Sequence, residues 1–360
     1  MARTNQTDTR PDSGDDVETL SQCGVCGSHV LAQIDQANRI CRCGHCGYVF
    51  DNPRPTLQAI IAFYSQTGKY DPWLREKEDR DQLWKRRLKI LKRHRSSGSL
   101  LDIGTGTGMF LSIARESFTV LGTEVSESAV RIAKNKYGLD VKQGQIEDIH
   151  FDTRFDVITL FHVLEHVPNP LSTLRRCREL LNSDGILVVA VPNDLVGSKA
   201  IVKRLLALAG IGGFKGRRYG LGGIRLDGSP TEVHLVNFKP RRGFFLPNSP
   251  TTEIHLSHFT PTVLRRLVER SGLTAVCEGL DPYTLTTGIR KTADDVHFAI
   301  CSFILRFSGL NLYDTILVVA KPAEPAPAGA HARRPKARSP DAAGETTPTA
   351  KWLGSNWVLL

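Results

Sequence analysis

The sequence predicts an α/β fold, a largely parallel sheet wound by helices on both faces, with a small cysteine-rich module ahead of it. Three observations carry that expectation. Between residues 97 and 321, short β-branched runs alternate with segments of helical period, the pattern of a parallel sheet with crossover helices. Within it, "LLDIGTGTGMF" is an apolar run that meets an acid, followed by Gly104, Gly106 and Gly108 at every second position. Ahead of it, Cys23 and Cys26, then Cys43 and Cys46, form two Cys-x-x-Cys-Gly repeats separated by 16 residues.

Taken in order, residues 1–20 are polar and too poor in apolar side chains to order themselves. Residues 21–55 hold the cysteine module. Residues 56–96 form a helical linker, in which "LREKEDRDQLWKRRLKILKRHR" reads as one amphipathic helix packed over the cleft of the glycine loop. Strands are expected at "LLDIG", "TVLGTEV", "DVKQGQ", "DVITLFHV", "ILVVAVP", "TAVCEGL" and "TILVVAK". Helices are expected at "MFLSIARE", "SAVRIAKNKYG", "LSTLRRCRELL" and "PTVLRRLVERSG", the last with Thr260 as N-cap and Pro261 at its first position. The segment 194–254 far exceeds the roughly two to six residues usual between such elements, and reads as a lid insertion. Residues 322–360 are a low-complexity Pro/Ala/Arg tail whose apolar end, "KWLGSNWVLL", is either a docking peptide or a frayed terminus.

Composition bounds the function. A chain of 360 residues with 41% hydrophobic content can bury one large core and carry an appendage. No stretch approaches the roughly 18 apolar residues of a membrane span, and "MARTNQTDTRPDSGDDVETL" has no secretory apolar segment, so a cytoplasmic location is expected. Five of the eight cysteines fall between residues 23 and 46, which suits metal ligation better than a disulfide framework. Four thiolates from two tight turns fit a closed structural zinc site, with Cys41 a spare and His29 and His45 weaker substitutes. The net charge of +10 is local: residues 199–243 hold ten Lys and Arg against Asp227 and Glu232, a net of +8.

The glycine loop identifies a ligand. A dinucleotide loop would read Gly-x-Gly-x-x-Gly, whereas these glycines are evenly spaced and Asp102 stands directly before them. That carboxylate is a poor neighbour for a pyrophosphate and a good one for an ammonium group. Glu124, at the end of the next strand, is placed to accept both hydroxyls of a ribose. An adenosine joined to an amino acid is S-adenosylmethionine.

From residue 97 to 321 the chain resembles the class I S-adenosylmethionine-dependent methyltransferases, through "LLDIGTGTGMFL", "VLGTEVSESAVRIAK", "FDVITLFHVLEHVPNP", "GILVVAVPN" and "IHLSHFTPTVLRRLVERSGL" in family order. The resemblance implies a Rossmann-like seven-stranded sheet whose last strand is antiparallel. It also implies Asp102, Gly104, Gly106 and Gly108 around the methionine end, Glu124 on the ribose, and Phe161 beside the cofactor. Gln145, where the family commonly has Asp, would frame the adenine together with Ile146. The cysteine ribbon resembles one that precedes a subgroup of bacterial methyltransferases with counterparts of "CGYVFDNPRPT", whose members act on sugars, saccharide chains or specialised metabolites. A small-molecule or saccharide acceptor, neutral or phosphorylated, is therefore expected.

Methyl transfer from a sulfonium is an in-line displacement, so holding the reactants in attack geometry does most of the work, about 7 to 11 kcal/mol. A base is needed only where the acceptor must lose a proton. His162, Glu165 and His166 fall at i, i+3 and i+4 beyond a strand end, which puts them on one face of a starting helix. They either move a proton, or hold a divalent metal as a similar segment does in related quinone O-methyltransferases, or cap the helix and shape the pocket. His255 and His258, in "IHLSHFT", are expected on the acceptor side, with His258 the first choice of base. The lid, with Arg217 and Arg218 beside Tyr219, would grasp an anionic acceptor, touch membrane lipid or a lipid-linked acceptor, or simply carry solvated charge. Two other readings compete. An RNA or DNA methyltransferase docking through the ribbon is disfavoured by an aromatic content of 7% and by the lack of an Asn-Pro-Pro-Tyr type motif; a non-catalytic cofactor-binding scaffold is disfavoured by the intact loop and Glu124.

Overall fold

The computed structural model describes residues 17–35, 39–66, 69–202, 253–283 and 288–324. Most of the expected lid, including Arg217, Arg218 and Tyr219, and the tail from 325 onwards lie outside the described residues.

The cysteine module is built from β1 (Val17–Glu18), β2 (Leu31–Asp35), β3 (Ile40–Cys43), β4 (Val49–Asp51) and β5 (Arg54–Pro55). Strands β2, β3 and β4 form an antiparallel ribbon, while β1 pairs with β5. The module therefore includes residues ahead of the expected boundary at residue 21. Val17 and Glu18 find a strand partner, and the Leu20 amide donates to Asn52 Oδ1 at 2.8 Å.

The linker holds α1 (Leu57–Tyr64), α2 (Asp71–Arg75) and α3 (Lys77–Lys92). Thr56 caps α1 by accepting from the Ala59 amide. The single helix expected over 74–95 is broken at Glu76, where the backbone (φ −87°, ψ 23°) leaves helical geometry between a short turn opened by Pro72 and the long α3.

The core is a seven-stranded sheet. It contains β6 (Gly98–Ile103), β7 (Phe118–Glu124), β8 (Val141–Gln143), β9 (Phe155–Phe161) and β10 (Leu181–Pro192), interleaved with α4 (Met109–Ala114), α5 (Glu127–Tyr137) and α6 (Pro170–Leu180). After them come β11 (Ser257–His258), α7 (Pro261–Arg270), β12 (Leu273–Gly279), α8 (Gly288–Ser308) and β13 (Thr315–Pro322). The strand order is β12-β13-β10-β9-β6-β7-β8, with β13 antiparallel to both neighbours. All seven expected strands and the antiparallel last strand are present. Residues Ile186 to Val191 are buried throughout, as a sheet covered on both faces requires. Thr260 and Pro261 open α7 as expected. Helix α8, inserted ahead of β13, has no counterpart among the helices expected from the sequence.

Two contacts tie the parts together. Strand β11 leaves the sheet domain to pair with β4, so the ribbon is completed by the chain that precedes α7. Arg87 of α3 makes a bidentate pair with Asp281 after β12, Nε to Oδ1 at 2.8 Å and Nη2 to Oδ2 at 2.5 Å, both side chains being sealed from solvent. The guanidinium also lies 4.6 Å from the centre of the Trp84 ring and 4.8 Å from that of Phe161. Removing one partner strands a buried charge. Arg87→Met is expected to lower unfolding free energy by about 3–5 kcal/mol in urea titration, and an unchanged midpoint would refute that weight.

Candidate active site

One cleft runs across the C-terminal ends of the central strands, the usual ligand position in a sheet of this kind. Its roof comes from the linker: Leu57, Ile60 and Ile61 of α1, with Tyr70 and Trp73 at the turn into α2. The expected cover is thus supplied by α1 and that turn rather than by the long helix.

At one end, Gly104 and Gly106 hold left-handed φ of 66° and 56°. A Cβ on Gly104 would meet Val163 at 2.6 Å, and one on Gly106 would meet the Trp73 ring at 3.1 Å, so at this wall of the cleft neither position has room for a side chain of its own. The Glu124 carboxylate accepts from the Gly106 amide at 2.8 Å and from the Ser126 amide at 2.9 Å. Burial raises its pKa. Gln145 and Ile146 line the same end, and Gln145 Nε2 donates to Asp148 at 3.1 Å.

Three expected cofactor residues sit behind this wall. Asp102 is buried, its pKa raised to about 7 by that burial, and accepts from Thr159 Oγ1 at 2.6 Å. Gly108 starts α4 and abuts Ala133 and Leu139. Phe161 packs edge-to-face on Phe110 at 5.1 Å and supports Arg87. These shape the loop from beneath, and none of the three is among the residues lining the cleft.

The other end is made by residues 162–168, which form a turn and not the expected start of a helix. His162 holds a left-handed φ of 57° and donates its amide to Ala190 O at 2.8 Å. Its Nε2 meets Asp281 Oδ2 at 2.9 Å and its Nδ1 lies 3.4 Å from Glu165. Burial works against its charge, but the two carboxylates prevail and its pKa is raised. His166 differs. Burial lowers its pKa, and its Nδ1 lies 2.6 Å from the Ile254 carbonyl, which can only accept. The proton therefore sits on Nδ1, leaving the Nε2 lone pair free, 3.7 Å from Glu165 Oε1. Glu165 is buried with neither oxygen hydrogen-bonded; burial opposes its charge, but His166 and His162 pull its pKa down.

His255 stands beside this group, its ring edge-on to His166 at 4.9 Å, with Asp194 at 3.5 Å and Glu253 at 3.6 Å on its two nitrogens. Burial disfavours its charge, yet those carboxylates raise its pKa to about 10, and it stays an imidazolium. His258 requires a correction. It is buried at the ribbon interface, Nε2 at 3.0 Å from Asp51, and does not line the cleft, because β11 presents it to β4. Sequence reasoning missed Tyr64, Lys69, Glu253 and Asp281. The first three line the cleft and the last fixes His162, and no local motif marks them.

The cysteines converge as expected. Cys23 and Cys46 sulfurs are 3.6 Å apart, Cys26 and Cys43 sulfurs 3.5 Å, and all four lie within 4.8 Å of one another. A tetrahedral ion with metal–sulfur bonds of about 2.3 Å spaces its ligands by about 3.8 Å, so the set fits zinc. Each knuckle closes alike, with Gly27 N on Cys23 O at 2.9 Å and Gly47 N on Cys43 O at 3.0 Å. Cys41 stays outside and donates to Gln33 Oε1, while His29 and His45 contribute no ligand to the group. Among the described residues a second group, Glu165, His166 and His255, also gathers three ligand atoms within 4.8 Å.

A sequence profile described as "Methyltransferase domain" matches residues 75–278, more than half of the chain. Ubiquinone biosynthesis O-methyltransferase of Actinobacillus pleuropneumoniae serotype 5b (strain L20) is 32% identical over 127 residues, covering 29% of this chain and 54% of that protein. An uncharacterized protein of Methanocaldococcus jannaschii is 32% identical over 130 residues, covering 36% of this chain and 60% of that protein. Magnesium protoporphyrin IX methyltransferase of Synechocystis PCC 6803, solved with bound SAH, aligns over 74% of this chain and 99% of that chain, at 13% identity and a TM-score of 0.42. The chain spans about half the length of the curated relatives it matches.

If Glu124 anchors a nucleoside, Glu124→Ala removes two charge-assisted hydrogen bonds to ligand hydroxyls, worth about 1.5–3 kcal/mol each. Calorimetry should then show S-adenosylhomocysteine binding at least about a hundredfold weaker than in the parent protein. Equal affinity would remove Glu124 from the ligand.

Proposed function

The chain belongs to the class I S-adenosylmethionine-dependent methyltransferase family, and from that premise we propose that it methylates a small-molecule acceptor whose proton is taken by His166. The observation that carries this reading is a single cleft with Glu124 and Gly106 at one end and His166, uncharged with a free Nε2 lone pair, at the other. Gly104 and Gly106 line the cleft with backbone packed tightly against Val163 and Trp73, and suit close approach by the amino-acid end of the cofactor. Glu124 would hold the ribose hydroxyls, with Gln145 and Ile146 at the adenine. When bound, S-adenosylmethionine supplies a methyl group activated on sulfonium.

The chain's own residues do the rest. Leu57, Ile60, Tyr70 and Trp73 exclude water over the cleft. The acceptor's proton passes to His166 Nε2, and the imidazolium that forms is steadied by ionised Glu165. His162, fixed between Asp281 and Glu165, places a standing positive charge where the acceptor atom turns negative. A hydroxyl-bearing sugar, saccharide or specialised metabolite fits this chemistry, and the naming of the relatives as O-methyltransferases supports oxygen as the receiving atom. Zinc held by Cys23, Cys26, Cys43 and Cys46 is proposed as structural, since four thiolates leave no ligand position open.

A second reading rests on the group of Glu165, His166 and His255, which could hold a divalent ion and polarise the acceptor oxygen. It requires His255 to surrender a proton that Asp194 and Glu253 hold firmly. Stimulation of turnover by added Mg²⁺ or Mn²⁺ after chelation would favour this reading over the metal-free one.

Three outcomes are expected. In a tritiated methyl-transfer screen over hydroxylated sugars and phenols, His166→Gln lowers kcat by about 10²–10⁴ while S-adenosylhomocysteine binding stays intact; undiminished turnover would remove His166 as base. Because the base must be neutral and burial depresses its pKa, kcat should rise through a limb below the ordinary imidazole value of about 6.5 and be flat at neutral pH. Purified protein should carry stoichiometric zinc, and Cys43→Ser should lose both the metal and several degrees of Tm; full zinc retention would contradict the ligand set.

A further inference from the structure

We propose that Tyr64 is the positioning residue of the cleft: its hydroxyl fixes the ring plane of His166 and so keeps the Nε2 lone pair in place for the acceptor. The inference deepens the proposed function and rests on His166 as the base. A histidine ring does not choose an orientation by itself. Rotation about its last side-chain bond is broad and roughly two-fold, and turning the ring over exchanges nitrogens for carbons. Two oxygens make the choice here. Nδ1 of His166 lies 2.6 Å from the Ile254 carbonyl and 3.2 Å from Tyr64 Oη, and the Ile254 amide donates to the same Oη at 3.1 Å. The three groups close a ring, in which the N–H of Nδ1 points between two oxygens and one of them is held by the amide of the residue that carries the other. The carbonyl alone would let the imidazole swing about that contact. A second oxygen at an angle to it removes the freedom. Turned over, the ring would present carbon to both oxygens; with its proton on Nε2 it would set a lone pair against the Ile254 carbonyl.

A side chain can position another only if it is itself fixed. Tyr64 is the last residue of α1, and its main-chain carbonyl, which no amide of that helix can reach, accepts from Ser126 Oγ at 2.8 Å. Ser126 is also the residue whose amide donates to Glu124. The Tyr64 ring stands edge-on to Phe63, with 5.2 Å between centres, and edge-on to His166, with 5.8 Å. Tyr64 therefore runs from the glycine-loop end of the cleft to the histidine end, with its backbone tied at the first and its hydroxyl at the second. Burial pushes its pKa up, and the Glu253 and Glu165 carboxylates add to the effect, so it stays a neutral phenol and is no rival to His166 as base.

The test is the nitrogen-15 imidazole spectrum of His166 in the full chain under mildly alkaline conditions, assigned through His166→Gln. It is read beside kcat and KM in tritiated methyl transfer to the most active sugar or phenol of the screen. In the parent chain a single tautomer with its proton on Nδ1 is expected. Tyr64→Phe should show a mixture of tautomers and a kcat lower by about three- to tenfold, with KM little changed and S-adenosylhomocysteine binding retained. Placing 3-fluorotyrosine at position 64 keeps the shape and weakens only the oxygen as an acceptor. It should move the His166 signals the same way by a smaller amount, a readout that does not depend on how Tyr64→Phe folds. Three results would overturn the inference: a parent spectrum with the proton on Nε2, His166 signals unmoved by both variants, or an undiminished kcat in Tyr64→Phe where His166→Gln is inactive. The reading of His166 as base fails separately, through full turnover in His166→Gln, and moved signals would then still establish Tyr64 as the group that holds the ring.

Discussion

Burial forces charges to balance, and one line of side chains shows how this protein meets that demand. Arg87, Asp281, His162 and Glu165 alternate in sign from α3 to the cleft, each within 3.4 Å of the next, with His162 partly exposed to the cleft and the other three almost wholly removed from water. Burial alone would leave Asp281 protonated and His162 neutral. Together they stay ionised, because each charge replaces the water its neighbour has lost. The line fixes the imidazole of His162, and through Glu165 it fixes the electrostatic setting of His166. The histidine end of the cleft is therefore an extension of the packing that holds the linker to the sheet.

The two ends of the cleft use opposite tactics. At the glycine loop, Glu124 is held by backbone amides, which the fold already fixes and which cost nothing further to keep in place. At the histidine turn the holding groups are charged side chains, and protonation differs from ring to ring. His255 is an imidazolium, His166 is neutral, and the difference follows from what faces each nitrogen: two carboxylates for His255, a carbonyl and a more distant carboxylate for His166. His162, His166 and His255 thus share one small region and still have three different environments.

Much of this is legible in the sequence. The seven strands are readable because each is a short β-branched run with a turn on either side, and α7 because Thr260 and Pro261 mark its first turn. The glycine-loop end of the cleft is readable because Gly104, Gly106 and Glu124 form one local motif, whereas the burial of Asp102 beneath it, against Thr159, depends on a partner 57 residues away that the motif does not report. The histidine turn is readable only as a cluster. Which histidine meets the cleft depends on β11 leaving the domain to pair with β4, some two hundred residues earlier in the chain, and no periodicity around residue 258 reports such a partner. Asp281 and Tyr64 escape notice for the same reason: their roles are set by the distant residues they meet, Arg87 and His166. Helix α8 is hidden because its two apolar faces erase the one-sided stripe by which a surface helix is recognised.

The cysteine ribbon acquires a purpose from the same long-range pairing. Its strand β4 accepts β11 as an edge strand, the Asp51 amide donates to Leu256 O at 2.9 Å, and the Leu256 and Ser257 amides both donate to the carbonyl of Glu165, at 2.7 and 3.1 Å. From the other side Arg54 Nη1 donates to Pro168 O at 2.7 Å. A turn that must carry a buried, unbonded carboxylate between imidazoles has a strong reason to rearrange and no regular structure of its own to resist it. Two short strands in water would resist little better, since so small a module has scant core. Four thiolates joined through one ion would give the ribbon a stiffness that its apolar content cannot, and the hydrogen bonds through β11 would pass that stiffness to Glu165, which would reconcile a metal remote from the cleft with the chemistry proposed inside it.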